Sequence, residues 1–239
     1  MNRNEIAKRL DLSLHRQGDV FPAMESLPEE MRAQQERLSE TLCEQATRAF
    51  IEGDMGIFLL TRCNTRALGV VMLNIAPLQE IGKYEEALAS AWTVTRANHA
   101  GYRMEDVRYL LKIADRSRLR ACGDPIPERD SFTLFRGCAG KGAAKRKRGF
   151  SWTSNYDTAM WFAKRLTPWL KDPAVYKVVV SKDNILFHTN ERKESEYVLL
   201  LPKKTGVECV WKGTDADCVS AEGAEAESET AGALDSPAA

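Results

Sequence analysis

The sequence predicts an α+β chain, with a helical first half and a second half built from short strands. Three observations carry this. Apolar residues recur at helical spacing through residues 27–120. From Gly123 onward, short β-rich runs alternate with turn residues, and one helical stretch, 156–167, interrupts them. Helices first and strands later is not the strict alternation of a doubly wound sheet. A length of 239 residues suits one large domain or two small ones, and 44% hydrophobic content is enough for a packed core.

Taken in order, residues 1–25 are polar and weakly patterned, and a mobile N-terminal arm is expected there. The run Ser26-Leu-Pro-Glu-Glu reads as a helix start, with Ser26 as the cap, Pro28 in the first turn and acids at the positive end of the dipole. Leu38, Leu42, Ala46 and Phe50 follow at four-residue spacing until Gly53 stops the run. Further helical segments are expected at 56–76, at 81–98 with Leu88, Ala91, Trp92 and Thr95 on one face, and at 104–116 with Val107, Leu110, Leu111 and Ala114. Residues 26–122 thus read as a bundle of four or five helices. Strands are expected at 132–135, 150–153, 175–180, 185–188, 197–201 and 207–211, within a domain spanning 123–212. Asn155 is placed to cap the intervening helix, with Ala159, Phe162, Ala163 and Leu166 inward. Residues 213–239 hold seven acids and no base among small residues, so they cannot bury enough apolar area to offset ordering entropy and are expected to be disordered.

Composition excludes several classes. Lys plus Arg and Asp plus Glu are each 34, a global balance that conceals regional segregation. The six cysteines show no CxxC spacing and none neighbours His15, His99 or His188, so neither a metal site nor a dense disulfide framework is expected. No 18-residue apolar run indicates a membrane span, and the N-terminus lacks the apolar core of a secretory signal. A cytoplasmic site of action is expected; delivery without a cleaved signal leaves no trace of this kind.

Three segments of the second half carry chemistry. Leu134-Phe-Arg-Gly ends an apolar strand with Arg136 and Gly137. Gly149-Phe-Ser-Trp-Thr-Ser is a strand whose Ser151 and Thr153 share a face by period-two alternation. Glu194-Ser-Glu-Tyr-Val-Leu-Leu-Leu-Pro leads two acids, Glu194 and Glu196, into a strand on one face. Singly, each is commonplace: a solvated arginine, a polar strand face, a charged strand start.

Together and in this order they resemble the R-S-E class of ADP-ribosyltransferases, a family of bacterial toxins, phage enzymes and vertebrate arginine-specific transferases. The following Asp157-Thr-Ala-Met-Trp-Phe-Ala helix is similar to the family's helix after its serine strand. The resemblance spans roughly residues 105–212. Two departures stand out: Ser151-Trp152-Thr153 replaces the frequent Ser-Thr-Ser, and only fifteen residues separate Arg136 from Ser151.

The resemblance implies a fold of two small packed β-sheets with flanking helices that binds NAD as a substrate, with no metal. Arg136 would hold phosphate through bidentate charge-assisted bonds. Glu196 would stabilise the oxocarbenium character that develops when the nicotinamide–ribose bond breaks, Ser151 would orient Glu196, and Glu194 would activate an arginine acceptor. Gly137, Trp152, Thr153 and Tyr156 complete the expected NAD-binding set; aromatic side chains there serve equally well as core.

The implied activity is mono-ADP-ribosylation of a macromolecule, protein (arginine favoured) or nucleic acid, by a bacterial or phage-type toxin or effector, with an antitoxin or inhibitor as the corresponding partner. Two alternatives stand beside it: an NAD glycohydrolase using the same site, and a degenerate transferase fold serving as a nucleic-acid or protein binding module. Lys141, Lys145, Arg146, Lys147 and Arg148 put five positive charges in eight residues, which reads as a solvated loop, a pyrophosphate clamp or a nucleic-acid attractor.

Overall fold

The structure, a computed structural model, describes residues 2–16, 28–61, 64–94, 102–140, 147–165 and 170–213. Those residues form ten α-helices and a single antiparallel sheet of six strands. The chain divides into two compact units, Met1–Gly123 and Asp124–Ala239. The Ser26 cap, Thr95, Leu166, Lys141, Lys145, Arg146 and residues 214–239 lie outside the described residues. No helix among the described residues is long and apolar enough to cross a membrane.

The first unit is helical: α1 (Arg3–Ala7), α2 (Ser13–Arg16), α3 (Glu29–Glu52), α4 (Met55–Phe58), α5 (Ala67–Leu73), α6 (Ile75–Glu80), α7 (Tyr84–Val94), α8 (Met104–Ile113) and α9 (Arg116–Ala121). The N-terminal segment, expected as a mobile arm, is docked over residues 2–16. Ile6 and His15 are buried, and the buried Asn74 side chain accepts from Asp11 N at 2.8 Å and donates to Asp11 O at 3.0 Å. These anchors are two isolated side chains and one distant amide, so no local periodicity announces them.

α3 closes on Gly53 at φ 88°, a left-handed turn that glycine adopts without Cβ strain. Its buried stripe is Cys43, Ala46, Ala49 and Phe50, whereas Leu38, the first of the four-residue series, is exposed. The single helical segment expected at 56–76 is broken. Asp54 caps the short α4, a 3-10 turn spans Asn64–Arg66, and α5 gives way to α6 at Asn74 (φ −119°), with Pro77, which has no N–H to donate, in the first turn of α6. Asp115, whose side chain accepts from Arg118 N at 2.8 Å, likewise starts α9 rather than continuing α8.

The second unit runs β1 (Ser131–Cys138), β2 (Ser151–Thr153), α10 (Tyr156–Lys164), β3 (Ala174–Ser181), β4 (Ile185–Thr189), β5 (Glu196–Leu199) and β6 (Glu208–Lys212). The strand order is β4-β5-β2-β1-β3-β6, and every pair is antiparallel. In place of two packed sheets, the described strands form one sheet with a narrow seam. β1 and β3 pair over eight positions, whereas β1 and β2 meet only at Phe135 and Thr153. The shortness of β2, three residues, sets that limit.

One face of the sheet packs Phe132, Leu134, Trp152, Val178, Val180, Ile185, Tyr197 and Leu199 into a core. On the other, Phe135 and Val175 pack with Ala159 and Ala163 of α10, the inward positions expected there, while Phe162 is half-buried. Asn155 caps α10 by accepting from Thr158 N at 3.0 Å. The helix lies directly on β1: a Cβ added at Gly137 would come within 2.6 Å of Ala163 N and 2.8 Å of the Ala159 carbonyl carbon. Glycine there is a condition of helix–strand packing.

Candidate active site

The topology gathers the three sequence segments. β5 returns past β3 and β4 to pair with β2, so the strands that bear Glu196, Ser151–Thr153 and Arg136 become neighbours, β5-β2-β1. Thr153 stands opposite Glu196 and Ser151 opposite Val198.

The acid pair lies at the Thr153 end of β2. β5 begins only at Glu196, so Glu194 sits in the preceding turn rather than two places along a strand. Strand alternation therefore does not bring the two acids together; a tight turn does. Lys193 (φ 57°) and Ser195 (φ 45°) adopt left-handed backbone there, unfavourable for residues with a Cβ. Hydrogen bonds hold it: Ser195 N donates to the Asn190 side chain at 3.1 Å, Lys193 N to Asn190 O at 2.8 Å, and Asn190 N to the Asp124 carboxylate at 2.6 Å. Thr153 Oγ1 donates to Glu194 O at 2.7 Å and accepts from Asn155 N at 3.1 Å, which ties the acid turn to the start of α10. The Ser154 and Ser195 hydroxyls lie 3.0 Å apart.

Glu196 is 6% exposed. Its carboxylate accepts from Arg192 Nη2 at 3.1 Å, and Arg192 Nε lies 3.5 Å from the Glu194 carboxylate. One guanidinium thus bridges both acids. Burial pushes the Glu194 carboxyl above the usual carboxylate range; Arg192 opposes the rise, Glu196 reinforces it, and Arg165 opposes it more weakly. A carboxylate of raised basicity beside a second acid is suited to accepting a proton.

Arg136 occupies the other end of β2. Its Nη1 donates to Ser151 O at 2.6 Å, and its guanidinium rests against Gly149, where a Cβ would come within 2.6 Å of Arg136 Nε. Gly149 is thus the gap that admits the arginine, a reason the residue pattern alone does not supply. The cation thus meets the Ser151 end of β2, whereas the acids stand at its Thr153 end.

Several expected roles change. Trp152 is 2% exposed and donates Nε1–H to Gly149 O at 2.9 Å, so it belongs to the core and offers no face to a ligand. Gly137 lies under α10. Ser151 presents its carbonyl to Arg136, while Thr153 is the hydroxyl beside the acids. Tyr156 stays half-exposed at the start of α10, edge-on to Phe135 at 5.4 Å. Of the basic loop, Arg148 is a structural clasp, donating to the carbonyls of Pro202, Lys203 and Thr205 at 3.0–3.2 Å.

Arg192, Arg165 and Trp161 were not singled out by the sequence; Arg165 lies over the Trp161 and Phe162 rings at 4.7 and 5.0 Å, and Trp161 is 54% exposed. The one available signal was an arginine four residues before Glu196. Among the described residues no group of His, Cys, Asp and Glu could hold a metal ion. No protein-family model matches the chain, and no curated protein or solved structure matches it.

Proposed function

We propose that the second unit is a mono-ADP-ribosyltransferase that cleaves the nicotinamide–ribose bond of NAD and passes ADP-ribose to a macromolecular acceptor. The observation that carries this reading is the convergence of Arg136, Ser151–Thr153 and Glu194–Glu196 on the adjacent strands β1, β2 and β5, although β5 follows two intervening strands in the chain. The Arg136 guanidinium suits the pyrophosphate, and the acids suit the ribose that loses nicotinamide. Glu196, as a carboxylate beside the sugar, binds the 2′-hydroxyl and offsets the growing positive charge; Glu194 takes a proton from the acceptor. Tyr156, exposed at the start of α10, keeps a surface for the nicotinamide ring. The toxin or effector setting rests on the family resemblance alone.

The Arg192 bridge favours one second reading, an NAD glycohydrolase, because a guanidinium over the acids shields them from a bulky acceptor more than from water. The deciding experiment incubates the chain with labelled NAD and a cell lysate, then compares free ADP-ribose with label removed by protease or by nuclease. Glu196→Gln keeps the shape and removes the charge; it should retain NAD binding while turnover falls by about two orders of magnitude or more. Near-normal turnover in that variant removes Glu196 from the mechanism, and no NAD binding by calorimetry favours a binding module.

A further inference from the structure

We propose that Arg192 is the chain's own acceptor, a self-modification site that receives ADP-ribose from NAD bound beside it; this rests on the transferase reading above. An arginine acceptor must present a guanidinium nitrogen to the ribose while one carboxylate holds the sugar and another takes a proton. Arg192 already meets both acids, Nη2 at 3.1 Å from Glu196 and Nε at 3.5 Å from Glu194. Its placement is built in. The left-handed Lys193 and Ser195 turn the chain so that Arg192 points back on Glu196, and Asn190, Asp124 and Ser154 fix that turn by hydrogen bonds. The Arg192 side chain is about one-third exposed, so it is not sealed from solvent.

The step balances. The C1′–N bond to nicotinamide breaks and its electron pair leaves on the nicotinamide nitrogen. A guanidine nitrogen of Arg192 bonds to C1′, and the proton it sheds passes to the Glu194 carboxylate and on to solvent. Burial, by raising the basicity of Glu194, favours that transfer. The modified side chain then covers the acid pair, so the reaction stops at one ADP-ribose per chain.

The test uses the purified full-length chain, labelled NAD and no added acceptor, with peptide mapping by mass spectrometry and a hundredfold protein dilution series. The expected result is label on Arg192, approaching one per chain, at a rate per molecule that dilution does not change. NAD consumed with label elsewhere, with no label, or with a rate that falls on dilution overturns the proposal and leaves NAD chemistry standing. No NAD binding by calorimetry and no NAD consumption overturns the transferase reading as well, and the two failures are thereby distinguished.

Discussion

Replacing Gly137 with alanine places a methyl group where the α10 backbone already lies, 2.6 Å from Ala163 N and 2.8 Å from the Ala159 carbonyl carbon. Ordinary contact begins near 3.4 Å and the Ala159 carbonyl oxygen lies nearer still to the added methyl, so the helix must retreat by well over about 1 Å. Neither neighbour is the flexible tip of a side chain. A gap of that size forfeits between a quarter and a half of the dispersion energy at each parted contact. The parted contacts join Ala159 and Ala163 to Phe135 and Val175. With the cost of the inserted methyl itself, the loss should be about 3 kcal/mol, a large share of the total stability of a domain. In urea this moves the unfolding midpoint down by roughly 1–2 M. The assay is urea unfolding followed by near-UV circular dichroism, with hydrogen exchange of β1 amides assigning the transition to the second unit. A midpoint shift below about 0.3 M refutes the packing argument. If NAD affinity then fell while stability held, Gly137 would belong to the NAD site instead.

Other perturbations separate stability from chemistry. Gly149→Ala meets the movable guanidinium of Arg136, so the fold should hold within about 1 kcal/mol while the Michaelis constant for NAD rises several-fold; calorimetric unfolding and steady-state kinetics check both. Glu194 binds its proton more tightly folded than unfolded, so the stability it lends is complete below its ordinary carboxylate value and is lost as pH rises through its raised one. Glu194→Gln should therefore gain stability relative to the parent as pH rises from the ordinary carboxylate range toward neutrality, while losing acceptor transfer; thermal melts across that rise that show no relative gain refute it. Burial lowers the His15 pKa, Nε2 faces Phe58 O at 2.8 Å and Nδ1 has no hydrogen-bond partner among the described residues. The unfolded chain thus binds more protons near its ordinary value, and the helical unit should lose stability as pH falls from about 7 to 5. His15→Phe should flatten that dependence, read from amide exchange around Phe58.

Local physics made much of the second unit legible. Short β-rich runs between turn residues marked all six strands, Asn155 marked the start of α10, and Ala159 and Ala163 marked its inward face, because each signal lies within a few residues. The helical unit was harder. Its breaks at Asp54, Asn74 and Asp115 are caps and turns inside apolar runs, and its docked N-terminal segment depends on Asn74, more than sixty positions away. For the candidate site, the sequence by itself determined which functional groups are present: an arginine, two hydroxyls and two acids on segments with strand character. Only the tertiary structure decided which of them meet. Pairing of β5 with β2 is a long-range choice that no local preference encodes, and it set Thr153, rather than Ser151, opposite Glu196. The same folding drew Trp152 into the core, because its side of β2 faces the apolar layer, and set Arg192 across both acids, because two left-handed residues turn the chain back on itself.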